Sequence, residues 1–125
     1  MTSHAHFITL PGLVASAAIA QYSSVKLAST AGQVKICSAV ADECIGVIQN
    51  DPAAAGDPAE VAFLGLAKAL VEASVAAGDF LGPSVTGRLK AVTGDNSSII
   101  GYAIEGASAT AGDIFAVALT GPARY

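Results

Sequence analysis

Apolar positions in this chain fall in short runs cut by glycine and aspartate, not in long stretches of helical period. Val34, Ile45-Gly46-Val47, Val61-Ala62 and Phe115 to Leu119 each sit between turn-forming residues. Short apolar runs punctuated in this way predict a β-domain with tight turns. The glycines are expected where φ must be positive or where backbones approach closely.

The runs are also written twice. Gly32-Gln33-Val34-Lys35 aligns with Gly87-Arg88-Leu89-Lys90, 55 residues on, and the same step carries Ile45-Gly46-Val47 onto Ile100-Gly101-Tyr102. After a one-residue insertion, Ala55-Gly56-Asp57 aligns with Ala111-Gly112-Asp113, Val61-Ala62 with Val117-Ala118, and Gly65 with Gly121. The pattern predicts two half-repeats, at about 22–65 and 77–121, superposing about a pseudo-two-fold with Gly46 and Gly101 equivalent. The expected fold is all-β, a small barrel or sandwich built from these halves. Residues 22–125 are read as one β-domain, and residues 1–21 as an extended N-terminal arm outside the repeat.

One stretch is ambiguous. Val61, Leu64, Val71 and Val75 also fit a helical stripe, and the alanines around them favour helix. The repeat makes Val61 to Leu64 a strand, because the matching Phe115 to Leu119 runs into Gly121-Pro122. For Leu66 to Ala73 strand is preferred and helix stays open.

The arm carries Phe7, Ile8, Leu10, Leu13 and Val14 and no charged residue between Phe7 and Val25. Ala18-Ile19-Ala20 mimics a signal-peptidase site, but no Lys or Arg precedes the apolar stretch and Pro11-Gly12 interrupts it, so export is not expected. Thr, Ser, Gln and Pro dilute it too far for a membrane span. Those five apolar residues are the expected partner interface, with the arm lying along a neighbouring subunit or the surface of a larger assembly. The competing expectation is that the arm adds a strand to its own core.

Composition points toward a partner as well. Charged residues make up 13% of the chain and apolar ones 53%, with a mean hydropathy of +0.59, whereas ordinary domains carry about 25% charge. A small domain so poor in charge is expected to bury apolar surface against copies of itself or another protein. The net charge of −4 and the scatter of Lys26, Lys35, Lys68, Arg88, Lys90 and Arg124 argue against nucleic acid.

No catalytic or cofactor constellation emerges, and the chain is not read as an enzyme. His4 and His6 would share one side of a strand but lack the further ligands a metal needs. Gly82-Pro83-Ser84-Val85-Thr86-Gly87 lacks the Gly-x-Ser-x-Gly spacing of a nucleophile elbow. Asp57, Asp79 and Asp113 each follow Ala-Gly and are read as turn caps, not calcium ligands. Asn96-Ser97-Ser98 is a glycosylation sequon with meaning only for an exported eukaryotic protein. Cys37 and Cys44 match no zinc or redox motif. They fall on Val92 and Ile99 in the repeat, so both are expected to be buried, reduced and apolar in role.

The progression Val75-Ala76-Ala77-Gly78-Asp79-Phe80-Leu81-Gly82, Gly87-Arg88-Leu89-Lys90-Ala91-Val92, Ile100-Gly101-Tyr102-Ala103 and Ala111-Gly112-Asp113 resembles the capsid cement (decoration) proteins of tailed bacteriophages. The resemblance covers roughly residues 22 to 121. It implies a virion structural protein, made in the host cytoplasm, that binds the outer surface of an icosahedral head. It implies the major capsid protein as partner, a trimer or dimer of the chain, and no catalysis; from charge and composition, neither nucleic acid nor membrane is an expected partner. The competing functional class is a small-ligand or carbohydrate-binding β-module, or an oligomeric β-barrel enzyme with a site between subunits.

Overall fold

A computed structural model describes residues 6–92, 98–105 and 113–124. Every regular element in it is a strand: β1 His6–Leu10, β2 Val14–Ala15, β3 Ser24–Leu27, β4 Gln33–Ile36, β5 Gly46–Ile48, β6 Val61–Leu70, β7 Phe80–Pro83, β8 Leu89–Ala91, β9 Ser98–Ala103 and β10 Ile114–Arg124. They form one 10-stranded sheet in the order β2-β4-β3-β5-β6-β10-β9-β7-β8, with β1 on β6. The fold is all-β, and the sheet does not close on itself. The stretch left open between strand and helix is strand through Leu70, held by β10 on one edge from Gly65 onward.

The repeat is a repeat of hydrogen bonds. Val25 opposite Ile36 and Leu27 opposite Val34 recur as Leu81 opposite Ala91 and Pro83 opposite Leu89. Val47 opposite Ala62 and Ile48 opposite Val61 recur as Tyr102 opposite Ala118 and Ala103 opposite Val117. The Tyr22 N–H donates to the Ile48 carbonyl at 2.8 Å, and the Gly78 N–H to the Ala103 carbonyl at 2.7 Å. Both donors have positive φ, 70° at Tyr22 and 92° at Gly78, so the turn keeps its shape even where the side chain is costly.

Two expectations are corrected. First, the arm lies inside the repeat. Ala15 pairs in parallel with Val34 as Val71 does with Leu89. The Ala15 N–H donates to Asp57 and the Ser16 N–H to Val34, just as Val71 donates to Asp113 and Glu72 to Leu89, all at 2.8–2.9 Å. The arm therefore supplies to the first half the strand that β6 and its extension supply to the second.

Second, no two-fold relates the halves. On β6, Val61 lies between Leu10 and Ile48, and Gly65 between Phe7 and Leu119. β5 and β10 thus share one edge of β6, and β1 takes the other. On β10, Val117 lies between Ala67 and Ala103, which puts β6 and β9 on opposite edges. A two-fold exchanging β6 and β10 would give both strands the same arrangement. The halves are related by a step, and that step carries β1 onto β6 as it carries β6 onto β10.

The larger core cluster mixes both halves: Cys37, Cys44 and Val47 pack with Leu81, Leu89, Ile100, Phe115 and Val117. A smaller one gathers Ala15, Ile19, Val25, Val34, Ile48 and Val61. Between the halves, the buried Ser24 gives both its N–H and its hydroxyl to the Gly87 carbonyl, at 2.8 and 2.7 Å. Gly87 has φ +85°, and a Cβ there would strike the Ile36 side chain.

Candidate docking face

An antiparallel sheet with one solvated face normally alternates apolar inward and polar outward. β10 obeys the first half of that rule: Phe115, Val117 and Leu119 point inward and are buried. Its alternate positions break the second half, being the exposed Ile114, the half-buried Ala118 and, between them, the buried Ala116. β6 does the same, with Ala67 and Ala69 inside and Leu66 and Leu70 outward, half-buried. The continuous apolar run of β6 is thus apolar on both faces, although only one lies on the chain's own core.

Cross-strand pairing joins these outward positions into rows, because directly opposed residues share a face. One row runs Phe80, Tyr102, Ala118, Leu66 across β7, β9, β10 and β6. A second pairs Ile114 with Leu70. Phe80 is 58% exposed, Ile114 42% and Tyr102 39%. Ile104 follows Tyr102 at the end of β9 and is also exposed. Lys68 is the one ionisable residue among the outward positions of β6 from Leu66 to Leu70. The Lys68 backbone is clamped by Gln49, whose side chain donates to the Lys68 carbonyl at 3.0 Å and accepts from its N–H at 3.4 Å. An apolar row on a hydrogen-bonded frame, with Lys68 opposite Ala116 and the Glu105 carboxylate accepting from the Ala116 N–H at 3.1 Å beside it, suits docking against a largely apolar surface.

The arm residues expected at an interface are mostly spent on this chain. Phe7 packs against the larger core cluster, and Leu10 and Leu13 against the smaller. Val14 pairs with Gln33 and is half-buried. Ile8, opposite Leu64 in β1, is 58% exposed. Phe80, Tyr102, Ile104 and Ile114, together with Leu27 and Val85, are exposed apolar residues outside the expected interface. Their signal was present as apolar residues at both parities of a strand, but which parity faces water is set by the fold.

The polar candidates serve turns. Asp57 Oδ2 accepts from the Ala53 and Ala54 N–H groups at 3.1 Å, and Asp79 Oδ2 from Ala76 at 2.9 Å. The Asp113 side chain is exposed, and its carbonyl receives Val71. Ser84 and Thr86 bond each other at 3.0 Å, and Thr86 donates on to Glu72 at 2.6 Å. His6 opens β1 opposite Leu66, while His4, Asn96 and Ser97 lie outside the described residues. Among the described residues, no three His, Cys, Asp or Glu side chains gather as a metal site would require.

Cys37 and Cys44 are free and fully buried. The Cys44 thiol hydrogen-bonds Cys37 and, against burial, holds the Cys37 thiol below its ordinary range, with help from Ser24. Cys44 itself is held well above, by that bond to Cys37 and by burial. Its Sγ lies 3.3 Å from the Gly46 carbonyl. The loop between them is tied down by Asp42, which accepts from the Ser38 and Ala39 N–H groups at 2.8 and 3.1 Å and pairs with Lys26 at 2.9 Å.

No protein-family model matches this chain, and no curated protein matches it.

Proposed function

We propose that this chain is a capsid cement protein, a non-enzymatic virion component that docks on the outside of an icosahedral phage head and stabilises it. The observation that carries this reading is the outward apolar row Phe80–Tyr102–Ala118–Leu66, set on a single cross-braced sheet. A protein that binds the assembled shell and not its free subunits stabilises the shell by linkage. Many copies on a lattice need only a modest contact each, so a flat apolar face is sufficient where a deep pocket is not. The major capsid protein would be the partner, and the sequence resemblance supplies that identity.

The test is sedimentation with tailed-phage heads stripped of their accessory proteins. Saturable co-sedimentation, together with a rise in the temperature at which heads release DNA, supports the reading. Protein that remains in the supernatant with every head to which its gene is linked would refute it.

A further inference from the structure

β4 and β5 both lie antiparallel to β3, one on each edge of it, and so run parallel to each other. The chain that leaves β4 must therefore come back over a face of β3 before β5 can begin. Residues 37–45 make that crossover. At one end the Cys37 N–H donates to the Ser24 carbonyl at 3.0 Å, and at the other the Ile45 N–H donates to the Val25 carbonyl at 2.9 Å. Neighbouring residues of β3 thus fix both ends. Asp42 in the crossover pairs with Lys26, and the Cys37 thiol bonds Ser24. Ser24 and Lys26 alternate along β3 and share one face, so that is the face the crossover covers.

The cover is tied down at several points. Asp42 accepts from the Ser38 and Ala39 N–H groups. From the second half, the Ser98 N–H donates to the Val40 carbonyl at 2.9 Å, and the Ser98 hydroxyl accepts from the Cys44 N–H at 3.4 Å. Ser38, Ala41 and Glu43 are exposed on the outer side. Beneath them Cys37 and Cys44 turn inward, 1% and 0% exposed, into the same core cluster, and their thiols bond each other. Packing alone asks two apolar thiols to be buried, not to be in contact.

We propose that Cys37 and Cys44 close into a disulfide when the protein meets an oxidant, stapling the crossover over β3, and that the Lys26–Asp42 pair is the latch that controls access to them. With glutathione disulfide as oxidant, the Cys37 thiolate attacks one of its sulfurs and a glutathione thiolate leaves. The Cys44 thiolate then attacks Cys37 Sγ and the second glutathione leaves. The two protons given up by the protein thiols pass to the two glutathione thiolates. One disulfide is reduced and one is formed. Cys37 reacts first because Cys44, Ser24 and Lys26 stabilise its thiolate. Neither sulfur can be reached through the closed crossover, so the reaction waits on local unfolding of that segment. In reducing surroundings the pair stays as thiols. The inference concerns the isolated protein and stands apart from the capsid reading.

The test equilibrates native protein in glutathione buffers of graded redox ratio, quenches with acid and maps the peptides by mass spectrometry. A Cys37–Cys44 linkage within the monomer is expected. The bridge closes a loop of eight residues, which the native fold already holds shut and the unfolded chain must close at an entropic cost. The disulfide should therefore be favoured at least roughly tenfold more in native protein than in the same chain in urea. By linkage the oxidised protein should melt above the reduced one. Lys26→Gln and Asp42→Asn unfasten the latch, and each should speed oxidation of the native protein roughly tenfold, the effect of one charge-assisted bond on the opening equilibrium. Glu72→Gln, which breaks the Arg88 pair in the second half, should leave the rate unchanged. An oxidised protein that melts below the reduced one, a native pair no easier to oxidise than the unfolded pair, linkage only between chains, or latch variants that oxidise at the parent's rate would each overturn it.

Discussion

Gly46 and Gly101 meet the same obstacle in the two halves: a Cβ on Gly46 would strike the Ala62 carbonyl oxygen, and one on Gly101 the Ala118 carbonyl oxygen. Ala62 and Ala118 are themselves partners in the repeat. Neither obstacle is the end of a flexible side chain, so neither can swing aside. Gly46→Ala and Gly101→Ala should each cost at least the roughly 1–3 kcal/mol of ordinary overpacking. Chemical denaturation measures this, and an unchanged midpoint for either variant would show that the backbone gives way.

Replacing Cys37 and Cys44 together by valine should cost less than about 1.5 kcal/mol, the range for volume-conserving exchanges. The losses are the weak thiol bonds: Cys44 with the Gly46 carbonyl and with Cys37, and Cys37 with Ser24. Both thiols should resist alkylation in the native protein and react only on unfolding. Labelling of either at the rate of a free thiol would contradict the burial.

Asp42 should make stability depend on acid. Burial pushes its carboxyl up, but the Ser38 N–H, Lys26 and the Ala39 N–H outweigh that and hold it below the usual range. A depressed folded value means the unfolded chain binds the proton more readily. The contribution is present above the unfolded value of about 3.9 and is lost as pH falls through the lower folded value. Urea unfolding of Asp42→Ala should therefore show a deficit of roughly 1–2 kcal/mol at pH 7 that narrows below about pH 4. A deficit constant down to pH 2 would assign the effect to packing.

Phe80→Asp and Tyr102→Asp alter the docking face without entering the core, since both side chains are exposed. Each should leave the melt within a few degrees of the parent and weaken particle binding at least tenfold, or about 1.4 kcal/mol. Binding that survives both changes would move the contact to another surface.

What the sequence by itself determined was the strand-and-turn grammar and its duplication. Turn glycines and apolar runs are local demands, and Gly32/Gly87, Gly46/Gly101 and Gly65/Gly121 each meet theirs twice. The place of the arm was nearly invisible, because a backbone ladder needs hydrogen-bonding groups and not particular side chains. Phe7 and Leu10 do echo Phe63 and Leu66, yet Ala15 and Val71 make the same parallel bridge with little in common. Whether the halves were exchanged by a two-fold or related by a step depended on which edge of β6 each neighbour takes, and edges carry no sequence signature. The docking face was hidden for a related reason. Residues at both parities of β6 and β10 are apolar, so only the packed structure decides that Phe115 and Val117 are core while Ile114 and the Phe80–Tyr102 row face outward.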